Sequence, residues 1–195
     1  MKNTIILLSL IILVSCKETS KEAQELKNGE ATEQKVTTVE PVKKKPLSPH
    51  TSAMAMVGDA HIHIDYSSPG VRDRIIFGGL LAYDQIWQAG AHMATWIETN
   101  KDLQIDGKTL PKGKYGFFTI PSKDNWIIIF NSNWEQHGKD EYDEKNDVLR
   151  FKVTPKISEE IKEHLEYKVT KTTDNSGTIS LSWEKVLVEF PFEVK

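Results

Sequence analysis

Apolar residues follow three rhythms along this chain of 195 residues. Residues 4–14 are almost wholly apolar, whereas residues 17–46 carry no aromatic residue and few aliphatic ones. After Ser48 the pattern becomes that of strands. Ile62, Ile64 and Tyr66 interleave with His61, His63 and Asp65, the period of a half-buried strand. Residues 96–105 read similarly and run into an Asp106-Gly107 turn, followed by a strand over 108–110 and a second turn at Pro111-Lys112-Gly113. Residues 114–120 form an aromatic-rich strand that stops at Pro121. Residues 126–130 are continuously apolar, which predicts burial on both faces. Further strands are expected over 148–153 and 167–172, and Asp174-Asn175-Ser176-Gly177 closes a hairpin onto 178–183. Short helical turns are expected over residues 80–88 and 158–164.

The last segment changes parity. Ile179, Leu181 and Trp183 share one side, whereas Val186, Val188, Phe190, Phe192 and Val194 share the other. A strand presents both sets to one core only if an extra residue intervenes, so Glu184-Lys185 is expected to mark a bulge or a switch between sheets. Many short strands without an internal repeat predict an all-β fold. The expectation is a single β-sandwich or jelly-roll-like domain over residues 48–195.

The N-terminal rhythm carries an address. Lys2, the apolar run and Leu13-Val14-Ser15-Cys16 have the form of a bacterial lipoprotein signal, with residues 1–15 removed and Cys16 acylated. The run is too short to span a bilayer, which takes about 20 residues. Cys16 is also the sole cysteine. Acyl chains there contribute about 0.8 kcal/mol per buried methylene, and more than one chain anchors stably. Residues 16–47 read as lipidated cysteine and disordered linker, too poor in apolar surface to offset the entropy of ordering. A flexible tether of about 30 residues spans roughly 30 Å. The reading is a lipid-anchored protein of the bacterial cell envelope, at the outer membrane, with the membrane as its first partner.

Composition narrows the chemistry. Net charge is −3, and −4 once Lys2 leaves with the leader, so no whole-molecule field favours nucleic acid. With Cys16 acylated, neither a disulfide nor a thiolate metal site is available. No nucleotide-binding glycine motif or G-x-S-x-G nucleophile elbow occurs.

Several stretches in order resemble a known family. They are Tyr66-Ser-Ser-Pro-Gly-Val71, Arg74-Ile-Ile-Phe-Gly-Gly79, Trp87 with Gly90-Ala91, Ala94-Thr95, the run from Leu110 to Pro121, and Asp147-Val-Leu-Arg150. Together they resemble the bacterial domain of unknown function 2911. The resemblance covers the whole domain and implies a secreted or lipid-anchored protein of the kind common in Bacteroidetes, with no activity attached. Where the commoner pattern has Trp-Arg-Thr-Gly-Ala-Asn, this chain has Trp87-Gln88-Ala89-Gly90-Ala91-His92, so no role resting on that arginine carries over.

Two sets of residues could bear function. His61 and His63 share one side of a strand, and with His92 and His137 from loops they could hold a divalent transition metal such as zinc. Their parity is opposite to the apolar one, so the plainer reading is of solvent-facing or hydrogen-bonding histidines. Asp59-Ala-His-Ile-His63 is similar to the start of an amidohydrolase barrel, but that fold needs about 250 residues in strand–helix units. Trp87 and Trp134 in loops, the latter beside Asn131, Asn133, Glu135 and Gln136, could stack on a glycan or a protein ligand. Arg72 and Arg74 flank glycine-rich turns that could cradle an anion. Those turns also have a plain backbone explanation. Trp126 and Trp183 lie in apolar strands and are expected in the core. The acidic run from Asp140 to Asp147 lacks calcium-loop spacing and reads as a solvated loop.

Overall fold

The computed structural model describes residues 46–195; the leader, Cys16 and nearly all of the linker lie outside them. Ten strands form two antiparallel sheets. They are β1 (His50–Val57), β2 (Ala60–Ser67), β3 (Trp96–Thr99), β4 (Leu103–Ile105), β5 (Lys108–Leu110), β6 (Gly113–Ile120), β7 (Trp126–Asn131), β8 (Asp147–Val153), β9 (Lys156–Lys171) and β10 (Ser176–Val194). One sheet has the order β1-β2-β3-β6-β7-β8 and the other β5-β4-β10-β9. The expected all-β sandwich is formed. Among the described residues the helical content is a single 3-10 turn, Glu144–Asn146, and no helix is long and apolar enough to cross a membrane.

The inner faces follow from alternation. Ile62, Ile64 and Tyr66 of β2, Ile97 of β3, Phe117 of β6 and Ile128 and Phe130 of β7 are all buried, facing Leu165, Tyr167, Ile179, Leu181, Trp183, Phe190 and Phe192. Aromatic rings fill the gap between sheets. Phe117, Phe130, Phe151 and Phe190 form one group, with Phe151 and Phe190 centroids 5.0 Å apart. Phe77, Trp87, Trp126 and Trp183 form another at one end, where Trp87 stacks on Trp183 at 5.7 Å and 25°. Each ring removes roughly 150–250 Å² from water, which at about 25 cal/mol per Å² contributes ~4–6 kcal/mol. The β7 run is buried on both faces as expected. Its outward Ile129 packs with Phe118 and Ala94 beneath covering loops.

The bulge in β10 is present. Its pairing with β9 shifts between Ser182 and Glu184 and again before Val186, and Glu184 has φ 55°. Three expectations fail. Residues 158–164 lie in β9 and are not helical, because their backbone groups bond to another segment: Val71 donates to the Glu163 carbonyl at 2.8 Å and Leu165 to that of Pro69 at 3.0 Å. Residues 80–88 are turns, since Asp84 donates to Pro121 and Trp87 exchanges bonds with Thr119 at 2.8 and 2.9 Å. The long strand expected over 96–105 is two strands in different sheets. The polar series Thr99-Asn100-Lys101-Asp102 breaks it, with Asn100 Oδ1 accepting from His61 N at 2.7 Å and Thr99 Oγ1 from Lys101 N at 3.3 Å.

A buried phenol locks the long connection between β2 and β3 to the opposite sheet. Tyr167, 2 % exposed, donates from its hydroxyl to the Ala89 carbonyl at 2.7 Å, and its N–H donates to the Tyr66 hydroxyl at 3.2 Å. Burial pushes the Tyr167 phenol well above its ordinary value of 10.0 and also raises Tyr66, Tyr115 and Tyr142. Above about pH 10 the unfolded chain therefore binds fewer protons than the folded one, so stability falls as pH rises. Urea denaturation between about pH 9 and 11 should show this fall. Tyr167→Phe should lower stability by about 1 kcal/mol at neutral pH and flatten the alkaline decline; parallel curves for the two proteins would refute the assignment.

Candidate functional site

The outward face of the six-stranded sheet carries the polar and aromatic residues left over by the core pattern. Across its middle stand His63 of β2, Trp96 and Glu98 of β3, and Lys114 and Gly116 of β6. The register sets His63 opposite Glu98, Asp65 opposite Trp96, Trp96 opposite Gly116 and Glu98 opposite Lys114. The loop after β7 folds back over this face and brings Trp134 to Trp96, with centroids 6.3 Å apart. The Lys114 ammonium lies between the two indoles, 3.5 Å from the centroid of Trp96 and 3.6 Å from that of Trp134. Such a cation–π contact contributes about 0.5–2 kcal/mol, more as it is desolvated. The His63 ring meets Trp96 edge-on at 4.8 Å.

Gly116 makes that fold-back possible. A Cβ there would lie 2.7 Å from Phe118 Cε2, 3.1 Å from the Asn133 carbonyl oxygen and 3.3 Å from Trp134 Cα. The loop itself is held by amides and carboxylates. Asn131 Nδ2 donates to Asp147 Oδ1 at 2.7 Å and to the Asp143 carbonyl at 3.0 Å, and Asn131 Oδ1 accepts from Asn133 N at 2.9 Å. Asp147 Oδ2 accepts from the Tyr142 hydroxyl at 2.9 Å and from Arg150 at 3.1 Å. Burial, reinforced by that bond to a carboxylate, holds the Tyr142 phenol far above its ordinary range. The acidic run is thus a framework in which Asp143 caps the 3-10 turn and Asp147 ties it to β8.

Between Trp134 and the start of β1 lies a cleft of about 190 Å³, lined in part by His50, Asp65, Met93, Trp96, Trp134 and Glu135. His50 Nε2 sits 2.8 Å from Asp65 Oδ1. The wall therefore offers an aromatic surface together with an imidazole–carboxylate pair and a free carboxylate.

Residues 48–192 match the model of a family described as Protein of unknown function (DUF2911). The chain belongs to this family. No curated protein and no solved structure matches it.

The DUF2911 domain places the expected site residues in three locations. His61 and His63 are neighbours on β2, with ring centroids 6.2 Å apart. His92 and His137 meet through backbone instead, where Gly138 donates to the His92 carbonyl at 2.8 Å and Met93 bridges His137. His137 points to Asp140 at 3.5 Å. Among the described residues no three His, Cys, Asp or Glu side chains gather as ligands of one ion. The four-histidine zinc centre is therefore not formed: two pairs of histidines sit on different elements.

Arg72, Arg74, Trp87 and His92 do converge, on a cavity of about 300 Å³ at one end of the sandwich. Arg74 donates to the carbonyls of Gly70 at 2.6 Å and Val71 at 3.0 Å, so its guanidinium braces the turn. Trp87 is 5 % exposed and spends its Nε1–H on the Gly90 carbonyl at 3.0 Å, so it is a core residue at a loop position. Arg72 and His92 have φ 49° and 63°; histidine tolerates this left-handed region better than most residues.

Sequence reading missed His50, Lys114 and the role of Trp96. The outward parity of Trp96 and Lys114 was available from alternation, but their meeting with Trp134 depends on strand order. Gly116→Ala should push the 131–134 loop off the sheet and cost about 1–3 kcal/mol. Hydrogen exchange of residues 131–136 should rise while β2 and β10 stay protected; unchanged exchange in the loop would contradict the packing described.

Proposed function

We propose that this DUF2911 protein is a lipid-anchored protein of the cell envelope whose β-sandwich binds a glycan ligand across the Trp96–Lys114–Trp134 surface. The observation that carries the reading is the half-exposed Trp134 set beside a cleft with polar walls. Sugar rings present apolar C–H faces to indoles and hydroxyls to polar side chains. Here the indole, the His50–Asp65 pair and Glu135 border one space. The sheet beneath is a rigid support, and Gly116 with the Asp147 framework fixes the angle at which Trp134 is offered.

Anchoring through Cys16 rests on the apolar run over residues 4–14 and on the position of the sole cysteine. The outer membrane is the proposed site of attachment. In cell fractionation the wild-type chain is expected with the outer membrane, and Cys16→Ser should release it or leave its leader uncleaved. An unchanged distribution would remove the anchor from the reading.

Ligand recognition is tested separately. Trp134→Ala should weaken retention on immobilised cell-wall glycan by roughly tenfold, the ~1–2 kcal/mol of one aromatic contact, without altering the circular dichroism spectrum. Retention equal to wild type would refute this surface.

A further inference from the structure

The first hairpin places a different set of donors on the same outer face. In the β1–β2 register Met54 lies opposite His63 and Met56 opposite His61. Their chain neighbours Ala53, Ala55, Ile62 and Ile64 occupy the inward parity, so all four side chains stand on the solvent side. Met54 is 59 % exposed and Met56 54 %. Packing gives no reason for two methionines there, since the core beneath β1 is served by small residues and Val57.

The spacing suits a shared ligand. Directly opposed cross-strand residues have Cβ atoms about 4.5–5.5 Å apart. Thioether and imidazole side chains both extend several bonds beyond that, and the two imidazole centroids are 6.2 Å apart. The hairpin is short and well fixed: Val57 pairs with Ala60 across Gly58-Asp59, and Gly58 takes the φ of 58° that a tight turn asks of glycine. His63 also meets Trp96 on the β3 side at 4.8 Å, so sharing an ion with Met54 turns its ring toward β1.

The donor types select the ion. Two neutral thioethers and two neutral imidazoles form a soft set, and thioether sulfur favours monovalent copper over hard or borderline divalent ions. No carboxylate completes the set: Asp65 is engaged with His50, and Glu98 stands on the far side of His63 from Met54. A neutral ligand set leaves the ion's whole charge uncompensated, one unit for a monovalent ion against two for a divalent one, which favours the former. We propose that Met54, Met56, His61 and His63 form a binding site for monovalent copper. The site does not depend on glycan recognition and is read out differently.

The full chain, purified in detergent, is titrated anaerobically with Cu(I) against a colorimetric chelator, and in parallel with Ag(I) as a redox-inert counterpart. One ion per chain is expected, with the ¹³C-methyl resonances of Met54 and Met56 shifting and that of Met93 unmoved. Met54→Leu/Met56→Leu keeps size and apolarity, so the fold should survive while affinity falls by roughly 100-fold. His61→Gln/His63→Gln should behave alike. Absence of stoichiometric Cu(I) in the wild type, wild-type affinity in the methionine double variant, or tighter retention of Zn(II) than of Cu(I) would each overturn the proposal.

Discussion

Stacking and edge-on contact of aromatic rings between the two sheets is the interaction on which this domain depends. Within the described residues there is no cysteine to cross-link the layers. Trp87 on Trp183, Phe77 against Trp126, and Phe151 against Phe190 take that place. Trp87 matters most because it arrives from a connection and not from a strand. Its ring closes the end of the sandwich, while its backbone joins Thr119 at the end of β6. The segment from Pro69 to Thr95 is thereby fastened at both layers, with the Tyr167 hydroxyl holding Ala89 between them.

That fastening explains why the outward face is available for chemistry. With the interior filled by rings and branched aliphatic residues, residues of opposite parity on β2, β3 and β6 are free of packing duty. Trp96, Lys114 and His63 stand on a sheet that is already rigid, and the loop over it is set by Asn131 and Asp147. A surface built this way has its geometry set by the fold itself, and preorganisation of that kind lowers the ordering cost of binding in general.

Much of the architecture is legible in residue order because strand parity is a local property. β2, β6, β7 and β8 stand where the run of apolar residues places them, and the parity change at Glu184 is a real bulge. β1 was illegible for a physical reason: its pattern is inverted, with alanines inward and methionines outward, so hydrophobicity gives no sign of which side is the core. The failed helical turns have a common cause. Residues 80–88 and 158–164 have acceptable helix formers, but their N–H and C=O groups find partners on distant strands. Trp87 misled because polar neighbours describe its backbone and not the destination of its ring. The site was half visible: Trp134 and the His61–His63 pair could be singled out, whereas the meeting of Trp96, Lys114 and Trp134 requires a sheet order that no local pattern contains.

The irregular stretch of β9 has a bearing on how copies of the domain tolerate crowding. β9 is the outer strand of the smaller sheet, and such a strand is a template for unwanted pairing with a neighbour. Across its two register shifts, between Ile157 and Glu166, it carries Glu159, Glu160 and Lys162 in place of a flat apolar ladder. Exposed Ile157 and Ile161 sit among those charges, on a backbone bent away from the regular pleat. A second chain approaching in register would have to bury like charges against like. Charge and irregular register on this edge therefore disfavour strand-to-strand pairing between copies of the domain.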